Sequence, residues 1–363
     1  MKNTFGNVLT VTLFGESHCE TIGCVVDGLA PGLTVSEKSI TDALLRRRPQ
    51  KGISTSRVEP DPFRIATGAV NGKTTGTPLT ILIDNVKQNS RVYEEETCLR
   101  PGHADFTAEM KYHGFQDKRG GGHFSGRITA PLVAAAAILT DALAKKGIFI
   151  GTHIASVASV YDRPFSSVED LSLLKKNAFG VLSPEKEDMM REEIVKAASD
   201  GDSVGGVLES MVAGLPAGVG EPWFDSLESM ISHALFSIPA VKGIEFGKGF
   251  ELTRLRGSEA NDALYAENGK IFTKTNQNGG IVGGISNGMP LLLRTAIKPT
   301  PTIFKEQETV DWKTGKTVRH SFAGRHDPCI VPRARIVQDS MLAFVLADAL
   351  SLRFGTDWLA SEE

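Results

Sequence analysis

Two distant segments of this chain read almost alike. Val26–Gly32 (VDGLAPG) resembles Val212–Gly218 (VAGLPAG), and each leads into a helical pattern followed by a proline. The same order of glycines and prolines then occurs in both halves: Gly68, Gly72, Gly76 and Pro78 in the first, and Gly280, Gly284, Gly288 and Pro290 in the second. The repeat predicts one domain, residues 1–363, with two similarly built halves at about 1–200 and 201–363. A site between such halves would take residues from both.

Hydrophobic periodicity predicts both strands and helices along the chain, and a fold of the α/β class is expected. Two patterns of the capping-box type, Thr34-x-x-Glu37 and Asp225-x-x-Glu228, predict helix starts. The expected strands are Val8–Phe14, Ile22–Val26 and Pro78–Asp84, and the further helices are Ala130–Lys146, one beginning at Ser183-Pro184, and Arg333–Phe354.

The charge balance excludes a general polyanion binder. The 363 residues include 40 Lys+Arg and 43 Asp+Glu, a net charge of −3, whereas nucleic-acid-binding domains are usually basic. The most apolar run, Ala130–Ala144, contains Asp141 and is too short for a membrane span. The N-terminus has no signal-peptide pattern, and the four cysteines include no CxxC pair. A cytoplasmic enzyme or binding protein is expected, without a nucleic-acid or membrane partner.

Gly15–Cys19 (GESHC) follows a strand and nearly matches the G-x-S-x-G nucleophile elbow, but the last glycine is missing. A Ser-His pair in a turn can contact a ligand, and a simple capped turn explains the motif equally well. Arg119–Arg127 (RGGGHFSGR) offers successive unhindered backbone amides that suit a phosphate. Three adjacent glycines are also compatible with a flexible loop.

Arginines are dense in this slightly acidic chain, which suits a small polyanionic ligand because guanidinium groups pair with carboxylate and phosphate. Arg100–Asp105 (RPGHAD) places His103 between an arginine and a carboxylate, so the histidine can be held protonated as a general acid. Gly324–Cys329 (GRHDPC) groups His, Asp and Cys, but no second cluster has ligand spacing, so no metal is expected.

These segments together resemble the chorismate synthase family, from Gly15 to Cys329. The blocks that carry the resemblance, in order, are GESHC, RRRP, RPGHADFT, RGGGHFSGR, GDSVGG, GLPAGVGEP, SIPAVKGIEFGKGF, NGGIVGGISNG, KPTPT and GRHDPC. The resemblance implies a β-α-β sandwich fold and a lyase of the shikimate pathway. That lyase converts 5-enolpyruvylshikimate 3-phosphate to chorismate and phosphate in a 1,4-elimination that needs reduced FMN.

The resemblance also implies roles for the motif residues. His18 would protonate the leaving phosphate, His103 would act as an acid towards the flavin, and Asp327 would help relay a proton from the flavin. Ser17 and Ser125 would be hydrogen-bonding neighbours, and Arg47 and Arg127 would bind substrate anions. FMN would lie against His123, Phe124, Ser125, Pro239, Ala240, Gly283, Lys298, Pro299, Thr300, Pro301, Thr302 and Arg325.

Four positions depart from the commoner family pattern. Cys19 replaces a glycine, His123-Phe124 stand where arginine-serine is frequent, Pro239 stands where asparagine is frequent, and Ile53 stands where a second anion-binding arginine is frequent. The family is usually tetrameric, so a homotetramer is expected. The sequence leaves open whether NADPH reduces the flavin on this protein or an external flavin reductase does so. The alternative function is a non-catalytic binding protein for a phosphorylated metabolite.

Overall fold

A computed structural model describes residues 2–54, 60–86, 96–174, 177–324 and 326–361. The helices in these ranges are α1 (Glu37–Arg47), α2 (Asp105–Tyr112), α3 (Thr129–Lys145), α4 (Asp170–Leu174), α5 (Pro184–Ser199), α6 (Leu227–Leu235), α7 (Gly257–Ala260) and α8 (Val331–Phe354). Short 3₁₀ helices cover Arg119–Phe124, Gly126–Ile128, Trp223–Asp225, Gly249–Arg254 and Thr356–Leu359.

The strands form two five-stranded antiparallel sheets and four two-stranded hairpins. In chain order they are β1 (Thr4–Phe5), β2 (Thr10–Phe14), β3 (Thr21–Asp27), β4 (Phe63–Thr67), β5 (Ala69–Val70), β6 (Lys73–Thr74), β7 (Leu79–Asp84), β8 (Phe149–Val157), β9 (Val160–Tyr161), β10 (Gly206–Ala213), β11 (Val241–Phe246), β12 (Leu264–Glu267), β13 (Lys270–Thr273), β14 (Ile281–Val282), β15 (Ile285–Ser286), β16 (Leu291–Ile297), β17 (Gln307–Asp311) and β18 (Lys316–His320).

The first sheet has the order β1-β2-β3-β7-β4 and the second the order β9-β8-β10-β16-β11. Helices α1, α3, α6 and α8 pack together between them, with α3 against β3 and β7 and α8 against β8 and β10. Each sheet therefore buries one face on a shared helical layer, which is the β-α-β sandwich that the resemblance implies.

The repeat in the sequence corresponds to a repeat in the structure. Apart from the edge strands β1 and β9, the two sheets have the same strand connectivity when read in these orders, with α1 matching α6 and α3 matching α8. Gly28 and Gly214 adopt φ of +81° and +84°, a left-handed conformation in which a Cβ would meet the backbone just before β2 and just before β8, respectively. The fold is thus α/β with two similarly built halves, as expected.

The position of β8 changes the boundary expected between the halves. All strands of the first sheet come from residues 4–84, and β8 already belongs to the second sheet. We therefore propose that the halves meet between Lys145 and Phe149, and not near residue 200. The long strand β8, which follows α3, has no repeat motif in the sequence. The boundary expected from the sequence therefore lies closer to the C-terminus than the one proposed here.

Both predicted helix starts are also shifted. Helix α1 is capped by Ser36, whose side chain accepts from the amide of Ser39, and α6 is capped by Ser226, which accepts from the amide of Ser229. The capping boxes at Thr34 and Asp225 were therefore wrong by one or two residues. A serine oxygen satisfies the otherwise unpaired amide in each half.

Helix α3 and the turn before it, Gly126–Lys145, are long and apolar enough to cross a membrane by length and composition. The sequence analysis judged the run too short because the preceding turn was not counted. However, 72% of its apolar window is buried inside the protein, as in the core helix of a globular domain. Helix α8 is buried on nearly every side.

Candidate active site

The turn Gly15–Cys19 presents two buried polar side chains. Gly15 has φ +97° between β2 and β3, and Ser17 and His18 are only 3% and 4% exposed. The amide of Ser17 donates to the carbonyl of Gly122 at 3.0 Å. The turn is therefore joined directly to the glycine loop at Arg119–Phe124.

This glycine loop separates the two histidines that the resemblance assigns as acids. Gly120 and Gly121 have φ of +64° and +112°. A Cβ on Gly120 would lie 2.2 Å from His18 Cε1, whereas one on Gly121 would lie 3.6 Å from His103 Nε2. Since adjacent residues point to different sides, His18 and His103 line the two sides of one loop. The loop is an ordered wall of the site and not merely a flexible linker.

His103 is held by the carboxylate that the sequence places beside it. Its Nδ1 lies 2.8 Å from Asp105 Oδ1, and Arg100 donates to both Asp105 oxygens, from Nε at 2.8 Å and Nη2 at 2.7 Å. Burial raises the pKa of Asp105, but the hydrogen bonds from Arg100 and His103 outweigh it, so the pKa is well below the usual range. An ionised Asp105 fixes the ring and leaves Nε2 towards the glycine loop.

Arg47 and Arg127 converge on one carboxylate that sequence reasoning missed. Arg127 Nη1 donates to Asp61 Oδ1, and Arg47 Nη2 lies 3.6 Å from Asp61 Oδ2. All three side chains are at most 5% exposed. Asp61 is far from both arginines in sequence and lies between two prolines, which gave no functional signal.

Asp327 lies in the loop before α8 and forms an ion pair with Arg333 in the first turn of that helix. Arg333 Nε also donates to the carbonyl of Arg47 at 3.2 Å. Arg333 therefore connects Asp327, in the second half, to the end of α1 that carries Arg47.

One cavity brings together seven of the expected site residues. They are Ser17, His18, Arg47, Ser125, Arg127, Pro239 and Asp327, with Gly120 and Arg333 in the same wall. Two of these come from the second half, so both halves contribute, as the repeat predicts. A second cavity is lined by His103, Phe124, Arg100, His326 and Trp312, among others.

Most of the expected flavin residues lie around the RPGHAD turn and the glycine loop. Lys298 Nζ donates to the carbonyl of Gly102 at 2.6 Å, and its amide donates to the carbonyl of Ala240 at 2.9 Å. A Cβ on Gly102 would lie 3.3 Å from Pro301. The carbonyl of Thr300, in the same Lys298–Thr302 segment, accepts from Ser203 Oγ at 2.7 Å.

Three further expected flavin contacts have different surroundings. His123 Nδ1 lies 2.7 Å from the carbonyl of Gly15, so it contacts the turn that carries His18. Gly283 is exposed in the β14–β15 hairpin, with no atom within 4 Å of the position of a Cβ. Arg325 lies outside the described residues.

Two departures from the family pattern have structural roles. Ile53 is 3% exposed and packs in the hydrophobic core, so it supplies no contact for an anion. Cys19 Sγ donates to the carbonyls of Glu16 and Thr21 at 3.0 and 3.1 Å, which stabilises the turn that holds His18.

No metal was expected from the sequence. Cys329 of GRHDPC is buried, and burial raises its thiol pKa to about 12, so it is a core residue. Within the described ranges, Glu96, Cys98 and His320 form one group whose ligand atoms lie within 4.8 Å of one another. The Glu96 oxygens already bond the Cys98 amide and His320 Nε2, at 2.8 and 3.0 Å, so this group is internally satisfied.

Comparison with known proteins identifies the family. The family model described as chorismate synthase matches residues 9–351. The chain belongs to the chorismate synthase family. A chorismate synthase of Pyrococcus abyssi is 45% identical over 351 residues, covering 96% of this chain and 97% of the relative. One of Methanosarcina barkeri is 44% identical over 355 residues, covering 97% of each.

A solved structure titled "Crystal Structure of Chorismate Synthase" has the same fold. It superposes with a TM-score of 0.78 at 30% identity and covers 98% of this chain and 96% of that one. The activity is therefore that of a chorismate synthase, a flavin-dependent lyase of aromatic amino acid biosynthesis that acts on a small phosphorylated substrate. The alternative of a non-catalytic binding protein is not supported.

The cavity lined by His103 fits the flavin that chorismate synthases require. His326 Nε2 is a buried polar atom without a hydrogen-bond partner among the described residues. Burial and then the Arg100 charge lower the His326 pKa, which favours a neutral ring that a ligand can bond. Phe124 and Trp312 add aromatic surface in the same wall. Aromatic faces with one unsatisfied ring nitrogen suit a planar heterocycle that carries polar edges.

Proposed function

We propose that this enzyme eliminates phosphate from 5-enolpyruvylshikimate 3-phosphate to give chorismate, with reduced FMN beside His103 and substrate beside His18. The observation that carries the proposal is the single cavity that combines His18, Arg47, Arg127 and Asp327. A binding protein for the same anion would need the arginines but not the histidine and the second carboxylate.

The guanidinium groups in the cavity wall support binding of an anion. Arg47 and Arg127 are both buried, and among the described residues both contact the carboxylate of Asp61. Arg333, in the same wall, forms an ion pair with Asp327. Guanidinium groups bind phosphate and carboxylate through paired hydrogen bonds, so this wall suits the anionic groups of the substrate.

His18 acts as the general acid for the leaving phosphate in this proposal. It is nearly enclosed, and Gly120 fixes its ring from one side. A proton donated to a departing phosphate oxygen reduces the charge that develops on it, which is how general acids accelerate such eliminations. Ser17 and Ser125, in the same cavity, supply hydroxyl groups for the substrate.

His103 and Asp327 handle protons on the two sides of the glycine loop. Asp105 orients His103 through Nδ1, so Nε2 is the ring nitrogen that would donate a proton in this proposal. Arg333 orients the Asp327 carboxylate, which can accept a proton. When bound, reduced FMN supplies transient electron density for loss of phosphate and a ring nitrogen that receives the hydrogen. His103, His123, Phe124, Ser125, Pro239, Ala240, Gly283, Lys298, Pro299, Thr300, Pro301, Thr302 and Arg325 would hold it.

The proposal is tested by anaerobic phosphate release from the substrate with chemically reduced FMN. We expect turnover only when the flavin is reduced, and we expect His18→Ala and His103→Ala each to reduce it about 10²- to 10⁴-fold. Both variants should keep the wild-type circular dichroism spectrum, because neither ring lies in the hydrophobic core. Full turnover without flavin, or in either variant, would contradict the assignment.

We further propose a cytoplasmic homotetramer, as the family resemblance implies. Sedimentation velocity of the purified chain measures the assembly directly, and a monomer would contradict it. NADPH oxidation by the protein with FMN, under anaerobic conditions, decides whether the chain reduces its own flavin. If no oxidation occurs, an external flavin reductase must supply the electrons.

A further inference from the structure

Asn85 follows the last residue of β7 and is bonded to the turn that carries His18. Its Nδ2 donates to the carbonyl of Cys19 at 2.8 Å and to that of Glu16 at 3.4 Å. Its backbone amide also donates to the carbonyl of Glu20 at 2.8 Å. The residue therefore holds the turn Gly15–Cys19 from the side of the neighbouring strand.

The other end of the same side chain contacts a proposed substrate-binding residue. Arg127 Nε donates to Asn85 Oδ1 at 2.9 Å. With the two carbonyls on one side and a guanidinium on the other, only one orientation of the amide satisfies all three partners. A rotated amide would direct its N–H groups at Arg127 and its oxygen at two carbonyl oxygens.

The structure assigns Asn85 as a positioning residue that fixes His18 relative to Arg127. The inference rests on the proposed function, because it takes the roles of His18 and Arg127 from it. A proton donor and an anion-binding residue that act on the same substrate must keep a constant separation. Displacement of reacting groups by about 1 Å can reduce a rate about 100-fold. Asn85 provides a two-bond connection between the two groups without contacting the reacting atoms.

Two substitutions test the contacts at the two ends of the Asn85 side chain separately. Asn85→Ala removes both contacts, so we expect kcat to fall about 10- to 100-fold and the substrate KM to rise about tenfold. Asn85→Asp keeps an acceptor for Arg127 but cannot donate to Cys19 and Glu16. We therefore expect Asn85→Asp to lower kcat to a similar degree while KM stays within about threefold of the wild type. This split between kcat and KM would not follow from a merely structural role.

Asn177→Ala is the matched control. Asn177 is also half-buried and also uses both ends of its amide, accepting from the amide of Gly180 at 2.7 Å and donating to Glu187 at 3.2 Å. It lies outside both cavities that contain the proposed catalytic groups. We expect the control to lower Tm about as much as Asn85→Ala while kcat and KM remain those of the wild type.

Parallel variants distinguish failure of this inference from failure of the proposed function. If His18→Ala and Arg127→Lys lose activity but Asn85→Ala behaves like the Asn177 control, only the positioning role is wrong. If His18→Ala and Arg127→Lys keep wild-type kinetics, the proposed function itself is wrong. In the double variant Asn85→Ala/Arg127→Ala, the combined loss should be smaller than the product of the single losses. If the loss in the double variant equals the product of the two single losses, Asn85 does not act through Arg127 and the inference is wrong.

Discussion

The guanidinium of Arg127 donates to the carboxylate of Asp61 in a cluster that is almost closed to solvent. Asp61 also forms an ion pair with Arg47, so its removal takes a buried carboxylate away from two buried guanidinium groups. We expect Asp61→Asn to destabilise the ligand-free protein by about 3–5 kcal/mol. Inorganic phosphate should raise the Tm of this variant more than that of the wild type, as thermal denaturation with and without phosphate will show. The control is Asp42→Asn, which removes an exposed pair with Lys38. Equal losses of unfolding free energy in Asp61→Asn and Asp42→Asn would contradict a buried charge cluster at Asp61.

Gly120 is expected to tolerate no side chain. A Cβ there would lie 2.2 Å from His18 Cε1, and the residue has φ +64°. Gly120→Ala should therefore displace His18 and reduce kcat about 100-fold. Gly315→Ala is the control, since Gly315 has φ +67° but no atom within 4 Å of its Cβ position. Backbone strain alone costs about 1–3 kcal/mol, so the control should lower Tm and keep kcat. Unchanged turnover in Gly120→Ala would show that the position of the His18 ring does not depend on the glycine loop.

Arg47 and Arg46 are adjacent on α1 but face different surroundings. Arg47 is 3% exposed in the active-site cavity, whereas Arg46 is largely exposed and pairs with Asp339 at 3.1 Å. Arg47→Lys keeps the charge and loses the planar fork, so substrate binding should weaken by about ten- to hundredfold. Arg46→Lys should leave it unchanged. Binding of oxidised FMN without substrate should be the same in both variants. If Arg47→Lys and Arg46→Lys change substrate binding equally, Arg47 is only a charge at the helix end and does not bind the substrate through its planar fork.

His153 is a fully buried imidazole between two carboxylates. Nε2 lies 2.9 Å from Glu209 and Nδ1 lies 3.3 Å from Asp162. Burial lowers the His153 pKa, but the bonds to Asp162 and Glu209 outweigh it, so the pKa is raised above 6.5. This group therefore contributes stability that is fully present below pH 6.5 and is lost as the pH rises through the folded-state pKa.

His153→Gln removes this proton-linked contribution. We expect the free energy of unfolding of the wild type to decline more steeply above pH 6.5 than that of the variant, as urea denaturation across the pH range will show. His233→Gln is the control, because His233 is exposed on α6. Parallel pH profiles for the wild type and His153→Gln would mean that His153 is neutral in the folded state.

The sequence was informative where a residue's neighbours in the chain are also its neighbours in space. The pairing of His103 with Asp105 and Arg100, the start of α5 at Ser183-Pro184, and the repeat itself were all predicted from patterns in the sequence. Local patterns also placed every long helix to within a few residues, because periodicity reports one continuous buried face.

Contacts between remote segments gave no such signal. Asp61, Asn85 and Arg333 complete the site through contacts with residues that lie far from them in the sequence. Helix α8 was predicted from its sequence pattern, but that pattern did not show that the helix is enclosed on nearly all sides. Polar residues such as Gln338 are buried there because Ser210 and Thr295 on the second sheet satisfy both ends of the amide.

The glycine loop has a consequence for how protons can move. His18 and His103 lie against adjacent residues of one backbone segment and line different cavities. In the part of the chain that the structure describes, the backbone of the glycine loop therefore stands between the two rings. In the proposed mechanism, a proton would pass from one histidine to the other through solvent or through the molecules bound on either side. Each of the two proposed acids would then regain its proton separately.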